Sequence, residues 1–314
     1  MHGPNLNIQP PSGGSHDVHR IKAALPRDIY QVNSLNFGIK VALACTLCAV
    51  GVLLIFQSSI ILSLVGAVLT GLMMAHFVEL QHQALHNHGF KQARLNRLVG
   101  IFLGMPMLIS FSHYQARHLW HHRKVGTPED SEFFDYKLEN GRLTIRQLLS
   151  HMIDVTILYR FFNCLKLSFL GLPLDQDIPY RREVLKKIQF EYKLMGLTLF
   201  TAVFLASWFN AWDILLRVWF LPFILVSVPV HFLIECPEHI ICDKIDDPLR
   251  NTRTIRSNRF MEWFTNGNNF HVEHHMFPSI PMNRMSEVHR LAQPFIVYLH
   301  RSYFEFFKSI ATKG

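Results

Sequence analysis

The sequence predicts an all-α integral membrane protein. Four transmembrane helices form two hairpins, and a cytoplasmic helical cap carries a metal site. Three observations predict this. Apolar residues make up 49% of the 314-residue chain and charged residues only 17%, with 26 Phe, a balance that suits lipid better than water. Long apolar runs occur in two close pairs, and a spanning helix needs about 20 such residues. Nearly all Lys and Arg fall on one side of the resulting topology.

Residues 1–35 read as a mobile polar tail with Pro and Gly, lacking the charged-then-apolar pattern of a cleaved signal peptide. The first span is expected at about 37–56 and the second at 60–78, with a short polar turn between them. The third is expected at 194–210 and the fourth at 214–235, where Pro222 and Pro229 predict a kink. A single domain would cover 36–305, with a C-terminal tail at 306–314. The apolar run 98–111 is too short to span comfortably and is expected to be re-entrant or interfacial. The segment 148–174 mixes Arg160 and Lys166 with Phe and Leu, as a helix lying on a membrane would. Five scattered Cys make no disulfide framework, and Cys45 and Cys48 read as small apolar side chains within the first span.

Of the 31 Lys and Arg, all but Arg217 lie before span one or just inside it at Lys40, between spans two and three, or after span four. By the positive-inside rule, both termini and the central segment are cytoplasmic, in a bacterial inner membrane or endoplasmic reticulum. The basic excess is then topological, and no nucleic-acid partner is expected.

Histidine carries the chemistry. HQALH places His82 and His86 one helical turn apart on one face. HLWHH supplies His118, His121 and His122, and HVEHH supplies His271, His274 and His275. The first and third clusters follow spans two and four, so eight imidazoles can converge near the membrane. Imidazole suits iron, zinc or copper. Eight ligands exceed the needs of one ion and suit two, and the lack of clustered Cys speaks against iron–sulfur and structural zinc sites. A nearly all-His site for two irons is the favoured reading.

The series HxxxH, HxxHH, HxxHH on four spans resembles the membrane-bound fatty acid desaturase superfamily, over about residues 35–300. The resemblance implies a di-iron site that uses O2 to remove two hydrogens from an acyl chain of a lipid. It also implies one further ligand before the third box, which here would be His239. Four residues earlier, where some members have Asn, this sequence has Glu235, a candidate ligand or supporting group. Glu79 and His88 are the other candidates: Glu79 could orient His82 by a hydrogen bond, and His88 lies beside box one. His113 is expected in a supporting or surface role, and His76 and His231 as hydrogen-bonded core residues. His151, His289 and His300 are expected to be solvated, and Glu273 exposed. Asn268 and Asn269 could cap the box-three helix. Arg253 could pair with an acidic ligand or a headgroup.

Electrons would come from a separate ferredoxin or cytochrome b5, because the chain has no HPGG haem-binding motif. The alternative within the same resemblance is a di-iron hydroxylase or ketolase of an alkane, carotenoid or sphingolipid. A membrane metal transporter or haem anchor is the rival of another class, and transporters hold their ligands nearer mid-membrane.

Overall fold

A computed structural model describes residues 14–130 and 144–312. Four helices among them are long and apolar enough to cross a membrane: α2 (Ser34–Ile55), α3 (Ile60–Leu85), α8 (Arg182–Trp208) and α9 (Trp212–Glu235). Around these stand α1 (Gly14–Ala24), α4 (Ala93–Gly104), α5 (Phe111–Lys124), α6 (Ile145–Met152) and α7 (Thr156–Leu170). The protein is thus a mostly helical membrane protein. Two two-residue strands, Thr254–Ile255 and Leu299–His300, pair in parallel.

The four helices match the expected spans but run past them. Helix α3 continues from 78 to Leu85, carrying His82 as a turn of the same helix. Helix α8 begins twelve residues before Leu194, at Arg182. Helices α2 and α3 pack so closely that a Cβ on Gly51 would meet the Thr70 hydroxyl at 2.5 Å, the small-residue contact typical of membrane helices. In α9 the prolines accompany a change of helix type. π-helical turns at Leu216–Phe220 and Phe223–Ser227 widen the helix around Pro222 and ahead of Pro229, where backbone N–H donors are missing. The 98–111 run lies where Ala93–Met107 and Phe111–Lys124 meet at 97°.

Helix α5 carries box two, and a buried carboxylate fixes it. Glu191 on α8 is 1% exposed and pairs with Arg97 of α4 at 2.8 Å. It also accepts hydrogen bonds from the Ser110 and Ser112 hydroxyls and from the Ser112 N–H. These donors satisfy a charge that would otherwise be costly to bury.

Both presumed tails are partly structured. Val18 and Ile21 of α1 and Leu25 just beyond its end follow an i, i+3, i+7 stripe, and Ile21 and Ile29 are buried against Phe270, Val272, Met276 and Ile280. Each full burial is worth about 1.5–3 kcal/mol. Pro, Gly and charged neighbours hide this stripe in the sequence. The rest of the expected N-terminal tail, residues 1–13, lies outside the described residues. At the other end, Phe306 and Ile310 pack on Cys236, Ile240 and Ile255.

Candidate metal centre

The nine predicted histidines form two groups. His82, His86, His118, His122 and His274 make one; His121, His239, His271 and His275 make the other. Within each group one ligand atom per residue lies within 4.8 Å of all the rest, a spacing that could hold a metal ion. Helical geometry produces this. The i, i+4 pair His118/His122 points one way from α5, and His121 turns to the other side. The helix His271–Met276 likewise sends His274 to the first group, and His271 and His275 to the second.

The Nε2 atoms face one another. His118 Nε2 lies 2.8 Å from His82 Nε2 and 2.9 Å from His122 Nε2, which is also 2.9 Å from His274 Nε2. In the second group, His239 Nε2 is 3.1 Å from His121 Nε2 and 3.0 Å from His271 Nε2, and His275 follows at 3.1 Å from His271. A neutral imidazole has one N–H. Where Nδ1 already holds it, as the next contacts imply for three rings, the facing Nε2 atoms present lone pairs. A shared cation removes that repulsion. Separations near 3.0 Å are also the edges of an octahedron with metal–nitrogen bonds of about 2.1 Å. The donor set therefore fits first-row metal ions, iron included.

Three rings of the second group are held from behind. His121 Nδ1 lies 2.9 Å from Asp130, His239 Nδ1 lies 3.1 Å from the Asn251 carbonyl, and His271 Nδ1 lies 3.0 Å from Asn268 Oδ1. Each contact favours an N–H on Nδ1 and leaves the Nε2 lone pair for a metal. Asn268 in turn donates to Glu238 at 2.8 Å, whose other oxygen is 3.3 Å from His271 Nε2. Burial, then the neighbouring rings, hold His86, His118, His122, His271, His274 and His275 well below the usual histidine pKa. His239 is lowered in the same way, against a weaker upward push from its bond to Asn251. These rings are neutral at pH 7, as ligation requires.

A cavity of about 750 Å³ opens beside the groups. His82, His118, His121, His239 and His271 line one part of it, and Met107, Leu108, Ile157, Phe161, Val228 and Phe232 another. His113 forms part of its wall, buried and bonded to Asp175 at 2.6 Å and to the Tyr192 hydroxyl at 2.7 Å. Burial would raise the Asp175 carboxyl, but the His113 hydrogen bond and its charge bring it down to about 2.

The remaining candidates lie elsewhere. Glu79 and Glu235 fall in neither imidazole group and stand together with His231. His82 Nδ1 has no hydrogen-bond partner, so Glu79 does not orient it. His88 is buried and stacks on His86 at 5.6 Å between ring centres, outside both groups. Glu273 is fully buried rather than exposed, because it pairs with His289 and accepts from the Thr254 hydroxyl at 2.6 Å. His289 is accordingly buried too. Phe270, not Asn268 or Asn269, precedes the box-three helix, and no side chain caps it. The Asn269 side chain bonds instead to Thr265 and the Ile255 carbonyl. Arg253 is buried, donates to the Pro237 and Ile240 carbonyls, and lies over the Phe306 ring. Asp130 and Asn251 carry no spacing signal and escaped the sequence reading, which named Asn268 only as a helix cap.

The sequence profile described as fatty acid desaturase matches residues 59–307. The chain belongs to the fatty acid desaturase family. That family is one of oxidoreductases, and it fits the apolar helices and histidine groups described above. Among curated proteins, the chain is 24% identical over 297 residues to a Delta(8)-fatty-acid desaturase of Euglena gracilis, covering 83% of this chain and 67% of that protein. It is 29% identical over 224 residues to a sphingolipid delta(4)-desaturase of Drosophila melanogaster, covering 68% of this chain and 61% of the relative. The chain thus spans roughly two thirds or less of these relatives.

Proposed function

We propose that the protein is an O2-dependent membrane desaturase that inserts a double bond into an acyl chain of a lipid. One observation carries this reading: two imidazole groups converge beside a largely apolar cavity. His82, His86, His118, His122 and His274 would hold one iron, and His121, His239, His271 and His275 the other. The iron pair, when bound, would supply O2 activation and the power to oxidise an unactivated methylene. The protein does the rest. Met107, Leu108, Phe161 and Val228 give the chain an apolar wall and exclude water. Asp130, the Asn251 carbonyl and Asn268 keep three ligand rings aimed.

The charge distribution supports the topology of this reading, with two hairpins, cytoplasmic termini and a cytoplasmic cap over the span ends. The ligand segments begin where α3 and α9 end, which suits a centre at that interface. Residues 36–305 would form the catalytic domain. A separate ferredoxin or cytochrome b5 would dock on the basic cytoplasmic side and deliver electrons.

Expression in a host of simple lipid content tests the proposal. Lipids lighter by two hydrogens are expected, and they disappear with His274→Ala. Products that gain oxygen without losing hydrogen would identify a hydroxylase instead.

A further inference from the structure

Glu79, His231 and Glu235 bring two carboxylates and an imidazole together at the membrane end of the metal centre. One ligand atom from each lies within 4.8 Å of the other two. Glu79 projects from α3, three residues before His82. His231 and Glu235 share a face of α9 one turn apart, and Glu235 precedes His239 by four residues. The trio thus sits on the same two helices that lead into the imidazole groups, yet it joins neither group.

The trio does not satisfy all of its own polar atoms. Glu79 is 2% exposed, and its Oε2 is buried without a hydrogen-bond partner. His231 Nε2 pairs with Glu235 Oε1 at 3.0 Å, which leaves the second carboxylate, Glu79, without an imidazole of its own. Lys40 on α2 acts on Glu79 through its charge, but its ammonium donates to Asn266 Oδ1 at 2.7 Å. Two carboxylates gathered in an apolar span call for a compensating cation.

We propose that Glu79, His231 and Glu235 form a third metal site, for a divalent first-row cation such as zinc or manganese. One nitrogen and two carboxylate donors suit such ions. The ion would tie α3 to α9 one turn before His82 and His239, and so set the spacing of the helices that supply ligands to both imidazole groups. The site does not depend on what the imidazole groups hold.

Metal counting on the purified full-length chain tests it. The wild type is expected to carry about three metal ions, and the Glu79→Gln/Glu235→Gln chain about two, with the imidazole-held metal unchanged. A wild type with about two, unaltered by that double substitution, overturns the proposal. If the double variant does not fold, the His271→Ala/His274→Ala chain decides. Stripped with chelator and returned to Mn2+, it should bind about one ion by electron paramagnetic resonance; no binding overturns the site. Loss of iron alone in this last chain speaks only to the imidazole groups.

Discussion

The two imidazole groups draw on the same boxes two and three but are held differently. In the second group, Asp130, Asn251 and Asn268 fix three of four rings through Nδ1. In the first, the Nδ1 atoms of His82, His122 and His274 are buried with no protein partner. Helix packing and ring contacts orient them instead, as where His82 and His274 meet edge-on at 4.9 Å between centres. Ring orientation in the second group is therefore built into the protein, whereas in the first it would lean on an ion held among the Nε2 atoms. Two neighbouring ligand groups need not be supported symmetrically.

The harshest way to break this comparison is to remove one ring from each group. His274→Ala and His271→Ala should both abolish product formation while the protein still inserts, as scored by lipid analysis beside immunoblotting of membranes. Turnover retained in either variant would mean that its group is dispensable.

Acid comes next. The depressed rings outside the spans are neutral when folded, whereas an unfolded histidine takes up its proton near pH 6.5. A folded pKa below the unfolded value gives stability that is intact above about 6.5 and lost as pH falls below it. The unfolding midpoint of metal-stripped protein should hold from pH 8 to 7 and drop at pH 6 and 5. A flat profile would show that the rings are not buried as described.

Glu191 supports α5, which feeds both groups, so its loss should harm them equally. Glu191→Ala leaves Arg97 without its partner and should cost about 3–5 kcal/mol, read from thermal unfolding in detergent. Asp130→Asn is the finer probe. It should weaken metal retention by about 10–100-fold at the second group and leave the first unchanged, measured by chelator competition. Equal loss from both groups would erase the distinction between them.

Much of this was legible in the sequence, for physical reasons. Unbroken apolar runs and Lys/Arg placement report spans, because lipid tolerates little else. Eight of the nine grouped rings could be read because helical spacing forces i, i+3 and i+4 residues onto shared faces, whereas His239 came from the family resemblance. What was not legible depends on distant segments meeting. Glu273 sits between ligand faces on its own helix, and only the arrival of His289 and Thr254 explains its burial. Asp130 and Asn268 are ordinary polar residues until His121 and His271 turn toward them. Glu235 looked like a part of the imidazole cage from its spacing to His239. Its companions, Glu79 and His231, emerge only from the packing of α3 against α9. Phe306 and Ile310 looked like tail residues because a ten-residue helix has no long apolar run.

The most direct test of the central claim is Mössbauer spectroscopy of protein grown with 57Fe, with total iron counted in the same sample. The account predicts about two irons per chain in two resolved environments of equal weight, reflecting the five-ring and four-ring groups. One iron per chain, or zinc in both groups from iron-replete cells, would contradict it.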